Sequence, residues 1–178
     1  MHLFTIGHST HSIERFVELL QQNRVAALVD IRRFPSSRNC PQFNQGELAT
    51  ALAEHGIEYH WLEALGGRRP KEKDATSANA GLRSESFRNY ADYMQTEPFR
   101  QGIAALAQIA DVNPTAIMCA ENVFWRCHRR LVSDFIVAQG GNVEHIFPGG
   151  EVKAHEPTEG AVMQEGKVTY PGEKMLFD

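Results

Sequence analysis

Short apolar segments with the period of β-strands alternate along this sequence with longer segments that have the period of amphipathic helices. The predicted strands occupy residues 3–6, 25–31, 57–61, 115–119 and 143–147. Helices are predicted between them, beginning near residues 12, 47, 98 and 124. Strands separated by helices favour a parallel sheet with helices on both faces. We therefore expect an α/β fold with about five mostly parallel strands, doubly wound, with a partial β/α barrel as the second choice.

The length of 178 residues fits one domain with a small extension. With 42% hydrophobic and 22% charged residues, the composition argues against disordered, collagen-like and coiled-coil chains. We expect a single α/β domain over residues 1–147 and an acidic, glycine-rich tail or edge hairpin over residues 148–178. A polar stretch at about residues 66–95 interrupts the alternation and predicts a long loop, which in a compact domain is usually functional or partly disordered.

Signals of export and of membrane insertion are missing from the sequence. The three cysteines, Cys40, Cys119 and Cys127, are too few for a disulfide framework. No apolar run approaches the roughly 20 residues that cross a bilayer, and the first five residues lack the basic and apolar regions of a signal peptide. We expect a cytoplasmic protein that does not contact membranes and that exists as a monomer or a homodimer.

The arginines are concentrated in the part of the chain that is predicted to form the sheet. All 13 precede residue 131, and several directly follow predicted strands. Because the carboxyl ends of parallel strands meet at one edge of a sheet, the polar residues after them should surround one ligand site. Guanidinium groups, glycine backbone amides and a helix N-terminus all favour phosphate. The residues expected to bind the ligand are Gly7, Ser9, Arg32, Arg33, Ser36, Tyr59, Gly67, Arg68, His128 and Arg129.

A phosphate-bearing molecule is the ligand that this set favours, either a small molecule such as a nucleotide or a nucleic acid. Aromatic side chains interleaved with the arginines would stack on bases, but a net charge of only about +1 over residues 1–130 weakens the case for a nucleic acid. The alternative is that the arginines pair with local carboxylates. The pairs concerned are Arg32 with Asp30 or Glu121, and Arg129 or Arg130 with Asp134.

Four residues are candidates for catalysis. Cys119 ends a predicted strand near a helix N-terminus and several arginines, an environment that lowers the pKa of a thiol and favours the nucleophilic thiolate. Glu121 and Asp30 are suited to general acid–base work, and His8 to proton donation or to contact with a phosphate. The alternative for Cys119 is a small buried apolar side chain without a chemical role.

Cys119, Cys127 and His128, together with Glu121 or His8, are also acceptable zinc or iron ligands. The two cysteines are eight residues apart, however, and the sequence holds no C-x-x-C pair. As neighbours on a predicted helix, Cys127 and His128 should point about 100° apart, which hinders the binding of one ion. No metal ligand is therefore assigned, and cofactors are left open.

Several short motifs follow one another in the order of a known family. They are TIGHS at residues 5–9, VDIRRFPSSR at 29–38, GIEY at 56–59, LGGR at 65–68, MCAE at 118–121 and CHRR at 127–130. Over about residues 2–147 the sequence resembles the domain-of-unknown-function 488 (DUF488) family. The resemblance implies a cytoplasmic microbial protein and supports the fold and its boundaries, but it implies no biochemical activity. Three functions stay open: an enzyme with a phosphate-binding cleft, a non-catalytic anion or nucleic-acid binding module, and a metal-binding Cys/His protein.

Overall fold

The computed structural model describes residues 1–71 and 77–172. Residues 72–76 of the predicted loop and residues 173–178 of the predicted tail lie outside the described residues. Within these ranges the central sheet consists of β1 (His2–Gly7), β2 (Ala27–Asp30), β3 (Glu58–Trp61), β4 (Thr115–Cys119), β5 (Asn142–Ile146) and β6 (Val152–Ala154). The strand order is β3-β2-β4-β1-β5-β6. The first five strands are parallel and β6 is antiparallel to β5, so the predicted α/β fold is confirmed.

Helices cover both faces of the sheet because successive strand residues point to opposite sides. In the described ranges they are α1 (Ile13–Gln22), α2 (Gln45–Glu54), α3 (Glu85–Tyr93), α4 (Glu97–Val112) and α5 (Arg129–Ala138). Leu28 of β2 packs in one core with α1 and α2, whereas its neighbour Val29 packs in a second core with α3, α4 and α5. Ser12 caps α1, since its side chain accepts a hydrogen bond from the backbone N–H of Arg15.

Two elements differ from the prediction. The stretch predicted as a loop at residues 66–95 contains α3. Most residues of this helix are polar, and its buried face is formed by Tyr90 and Ala91. The helix predicted from residue 124 begins only at Arg129. Residues Phe124–Arg126 form a separate 3-10 turn, and Cys127 has an extended backbone with φ −128° and ψ 151°. Cys127 therefore lies before α5 and not inside a helix.

The chain after Pro148 continues to contact the sheet and α5. Strand β6 extends the sheet beside β5, and the antiparallel pair β7 (Val162–Gln164) and β8 (Lys167–Thr169) follows. Glu165 and Gly166 form the turn of this hairpin with positive φ angles of 48° and 72°, as a two-residue type I′ turn requires. The domain boundary at residue 147 stays a prediction. In the described part of the chain, none of the helices has both the length and the apolar character needed to span a bilayer.

A buried carboxylate joins α5 to this C-terminal segment. Asp134 accepts hydrogen bonds from His155 Nε2 at 2.8 Å, from the Thr158 backbone N–H at 2.9 Å and from the Tyr170 hydroxyl at 2.7 Å. His155 Nδ1 lies 2.9 Å from Nε2 of His145, which continues the chain of hydrogen bonds into the sheet. Burial acts to raise the pKa of Asp134, but the hydrogen bonds from His155, Thr158 and Tyr170 hold it below its usual range. The alternative in which Asp134 pairs with Arg129 or Arg130 is not the one observed, since Asp134 pairs with His155.

Candidate functional site

A cleft of about 510 Å³ opens at the carboxyl ends of β1, β2 and β4. This is the edge of the sheet where the sequence predicts a ligand site. Of the predicted site residues, nine line the cleft: His8, Arg32, Arg33, Ser36, Gly67, Arg68, Cys119, Glu121 and His128. Five others do not line it: Gly7, Ser9, Asp30, Tyr59 and Arg129. Several of these five residues hydrogen-bond to residues of the lining and so help to position them.

Asp30 and Arg32 form a buried ion pair beneath one wall of the cleft. The carboxylate of Asp30 is 0% exposed and accepts hydrogen bonds from Nε and Nη2 of Arg32, the latter at 2.6 Å. It also accepts the hydroxyl of Tyr59 at 2.8 Å. Burial, followed by the charge of Asp30, raises the pKa of this tyrosine. The alternative given above for Arg32 is thus the one observed, and Asp30 has no oxygen left without a donor.

His8 supports the same pair. Its Nδ1–H donates to the carbonyl of Ser9 at 2.9 Å, because a carbonyl can only accept. The other ring nitrogen, Nε2, therefore carries the lone pair, and Nη1 of Arg32 donates to it at 3.3 Å. Burial lowers the pKa of His8 to about 4, and the ring stacks on Phe43 with centroids 4.3 Å apart. At neutral pH His8 is an uncharged acceptor that holds Arg32, which leaves no proton on Nε2 for a ligand.

Arg129 places a buried positive charge under the floor of the cleft. Its side chain is 1% exposed, and Nη2 donates to the backbone carbonyl of Glu121. Its Nε has no hydrogen-bond partner, and no carboxylate pairs with the guanidinium, among residues 1–71 and 77–172. Gly7 makes room for this arrangement, since a Cβ there would lie 1.9 Å from the Glu121 carbonyl oxygen and 2.9 Å from Nη2 of Arg129.

Two thiols and one imidazole meet at the floor of the cleft, and we call Cys119, Cys127 and His128 the sulfur–imidazole cluster. Nδ1 of His128 lies 3.6 Å from Sγ of Cys127 and 3.9 Å from Sγ of Cys119. Its Nε2–H donates to the carbonyl of Ile31 at 3.0 Å, so the Nδ1 lone pair faces the sulfurs. The expectation that Cys127 and His128 point apart on a helix is wrong, because α5 begins only after them.

The thiol whose pKa is lowered is that of Cys127, and not that of Cys119 as the sequence predicts. The hydrogen bond with Cys127, followed by burial, raises the pKa of Cys119. Burial acts to raise the pKa of Cys127 as well, but the hydrogen bond from Cys119 and the charge of Arg129 act to lower it, and the pKa lies well below the ordinary thiol value. The first backbone N–H of α5, from Arg129, also donates to Sγ of Cys127 at 3.5 Å. Cys127 was not among the predicted site residues, because the sequence pattern assigned it to a helix interior.

The family described as "Domain of unknown function DUF488" matches residues 12–136. The chain belongs to the DUF488 family. No curated protein and no solved structure matches it. The matched range runs from the cap of α1 into α5, so it contains the Asp30–Arg32 pair and the sulfur–imidazole cluster. The strands β1, β5, β6, β7 and β8 lie outside it.

The outer wall of the cleft in this DUF488 protein is cationic. Arg33 donates to the carbonyl of Arg68 at 2.7 Å and lies 3.7 Å from the carboxylate of Glu63. Arg68 and Arg126 are exposed, and no carboxylate of the described residues lies within 4.0 Å of either guanidinium. Beside Arg33, the ring of Phe34 is 66% exposed. Arg126 and Phe34 were not predicted as site residues, although Phe34 lies inside the VDIRRFPSSR motif and Arg126 directly precedes the CHRR motif.

Proposed function

We propose that this DUF488 protein is an enzyme whose cleft binds a nucleotide or a similar phosphate-bearing small molecule. Its volume of about 510 Å³ is in the range of small-molecule sites. It lies between β1 and β4, which are neighbours in the sheet but lead to helices on opposite faces, α1 and α5. In open α/β sheets, ligands bind in the crevice at such a position.

The observation that carries the proposal is the pair of exposed arginines at the cleft, Arg68 and Arg126, that no carboxylate of the described residues neutralises. Guanidinium groups bind phosphate oxygens through two parallel N–H donors. The exposed ring of Phe34, with the guanidinium of Arg33 at 5.7 Å, offers a flat surface on which a base can stack. Phosphate and base would thus contact different walls of one cleft.

The reacting end of the ligand would lie at the floor, next to the sulfur–imidazole cluster. Glu121 lines the cleft with an exposed side chain, which suits a general acid or base that must reach a bound ligand. Asp30 and His8, in contrast, act as positioning residues for Arg32, since their polar atoms already have internal partners. We therefore assign the acid–base role to Glu121 alone.

Calorimetric titration of a panel of mononucleotides tests the binding step. Arg126→Ala and Arg68→Ala should each weaken binding by about tenfold or more, since a hydrogen bond to a charged group contributes about 1.5–3 kcal/mol. Arg100→Ala, which removes an exposed arginine on α4 away from the cleft, should bind as the wild type does. Unchanged affinity in both cleft variants contradicts the proposal. So does tight binding confined to a single-stranded oligonucleotide, which would indicate a nucleic-acid binding module.

Mass spectrometry of the bound nucleotides after incubation tests the catalytic step. The wild type should convert at least one compound that it binds, and Glu121→Gln should keep the affinity while losing most of the turnover. A protein that binds phosphate compounds through Arg68 and Arg126 but converts none of them is a non-catalytic binding module. That result would overturn the enzymatic part of the proposal.

A further inference from the structure

The two nitrogen–sulfur separations in the sulfur–imidazole cluster are close to those that a tetrahedral zinc ion imposes. Zn–S bonds of about 2.3 Å and Zn–N bonds of about 2.0 Å that meet at a tetrahedral angle place sulfur and nitrogen about 3.6 Å apart. The observed distances from His128 Nδ1 are 3.6 Å to Cys127 and 3.9 Å to Cys119, and all three atoms lie within 4.8 Å of one another. We propose that Cys119, Cys127 and His128 bind one Zn²⁺ ion.

The imidazole is oriented as a zinc ligand is. A histidine that binds a metal through one nitrogen almost always donates its other N–H to a carbonyl or carboxylate, which fixes the tautomer. His128 does so through Nε2 and the carbonyl of Ile31, at 3.0 Å. The ring is also confined by the edge-on contact with Tyr90 and by Gly67, where a Cβ would lie only 2.8 Å from Nδ1. The lone pair is thus directed at the two sulfurs without any reorganisation.

The ligand types of the cluster favour zinc, and three protein ligands leave the fourth coordination position of the ion open. Thiolate and imidazole together suit zinc, whereas calcium and magnesium prefer oxygen. Structural zinc sites are closed by four protein ligands, and catalytic sites have three and keep the fourth position for water or substrate. All three residues of the cluster line the cleft. The open position of the ion would therefore face the ligand cavity.

Charge balance indicates what fills that position. One Zn²⁺ with two thiolates and a neutral imidazole carries no net charge, and Arg129 adds one buried positive charge that no carboxylate of the described segments neutralises. A buried cation without an anion is unfavourable. The fourth ligand should thus be an anionic oxygen, either hydroxide or an oxygen of the cleft ligand. The second of these alternatives rests on the proposed function, whereas the three protein ligands do not.

Metal analysis of protein purified under reducing conditions without chelators tests the site directly. The wild type should contain about one zinc per chain. Cys119→Ser, Cys127→Ser and His128→Gln should each weaken zinc binding by at least about 100-fold. Cys40→Ser is the matched control and should retain the metal, because the thiol of Cys40 lies apart from the cluster, 3.5 Å from the carbonyl of Ser9. Circular dichroism of each variant establishes that it is folded.

Cobalt substitution of the wild type keeps the proposal falsifiable if the serine variants unfold. One equivalent of Co²⁺ should produce the visible bands of tetrahedral cobalt together with a thiolate-to-cobalt charge-transfer band, and prior alkylation of the thiols should abolish both. Zinc content well below one per chain, with no such bands, overturns the proposal. Equal alkylation rates of Cys119 and Cys127 with and without Zn²⁺ also overturn it. Because no nucleotide is present, failure here leaves the arginine titrations untouched, and the converse holds as well.

Discussion

Replacing Gly67 with alanine should displace His128 while leaving all three proposed zinc ligands in the chain. The added Cβ would lie 2.8 Å from Nδ1, 3.1 Å from Cγ and 3.2 Å from Cε1 of the imidazole. Gly67 does not have a positive φ, so alanine fits its backbone conformation without strain. The substitution therefore acts through the contact with the ring and not through the backbone.

The size of the effect follows from these distances. Ordinary van der Waals contact begins at 3.4 Å, so the ring must move by about 0.6 Å. Metal–ligand distances tolerate about 0.2 Å. A movement three times larger either separates Nδ1 from the sulfurs or breaks the bond from Nε2 to the Ile31 carbonyl. We expect zinc affinity to fall by about 10- to 100-fold, as it does when the support of a ligand is lost, with a stability loss of about 1–3 kcal/mol from overpacking.

Competition with a chromophoric chelator measures the zinc affinity, and urea unfolding measures the stability. Gly46→Ala is the matched control, because a Cβ at Gly46 has no atom within 4 Å. It should leave the zinc affinity unchanged and stabilise α2 by up to about 1 kcal/mol, as alanine does in a helix. If Gly67→Ala binds zinc as tightly as the wild type, His128 is not held by this contact or is not a ligand.

Three further predictions concern stability. Asp30→Asn removes the carboxylate from a buried ion pair and should lower the free energy of unfolding by about 3 kcal/mol; a loss below about 1 kcal/mol in urea would contradict the role given to the pair. Tyr170→Phe leaves Asp134 without its hydroxyl donor and should cost about 1.5–3 kcal/mol in the same assay. Burial, with the neighbouring His155 charge, lowers the pKa of His145 to about 3. Below pH 6.5 the unfolded chain binds a proton there that the folded chain does not, so stability should fall as the pH drops toward 3, by about 1.4 kcal/mol per pH unit. A midpoint of denaturation that stays constant between pH 6.5 and 4.5 would refute this.

The alternation of apolar periods was enough to predict the parallel sheet, since each of the five predicted strands overlaps an observed one. The apolar periods could not predict the order of the strands, because β4 pairs with β1 and β2 through residues that are about 90 to 110 positions apart in the sequence. Helix α3 was missed because it buries few apolar residues, so its sequence has the composition of a loop. The edge strand β6 has only three residues, which is too short for a period to be recognised.

The position of the site could be predicted, but not the partner of each side chain. Residues that follow parallel strands converge whatever their type, which is why Arg32, Cys119 and Glu121 were placed in one cleft. The role of His8 depends on which nitrogen faces Arg32, and that is set by tertiary packing. The geometry of Cys127 depends on two backbone angles at the start of α5, which no periodicity in the sequence encodes.

Helix α5 is held at its middle by a segment that does not line the cleft. Its first residue, Arg129, lies under the floor, and Asp134 is anchored by His155, Thr158 and Tyr170, none of which lines the cavity. A chain that ends before His155 would lack all three of these hydrogen-bond donors. The buried carboxylate of Asp134 would then have no partner from this segment, and α5 would be free to shift along its axis. The C-terminal segment thus helps to fix the position of α5 and of the side chains that it brings to the cleft. Truncation of this segment should therefore disturb the geometry of the cleft, although none of the removed residues lines it.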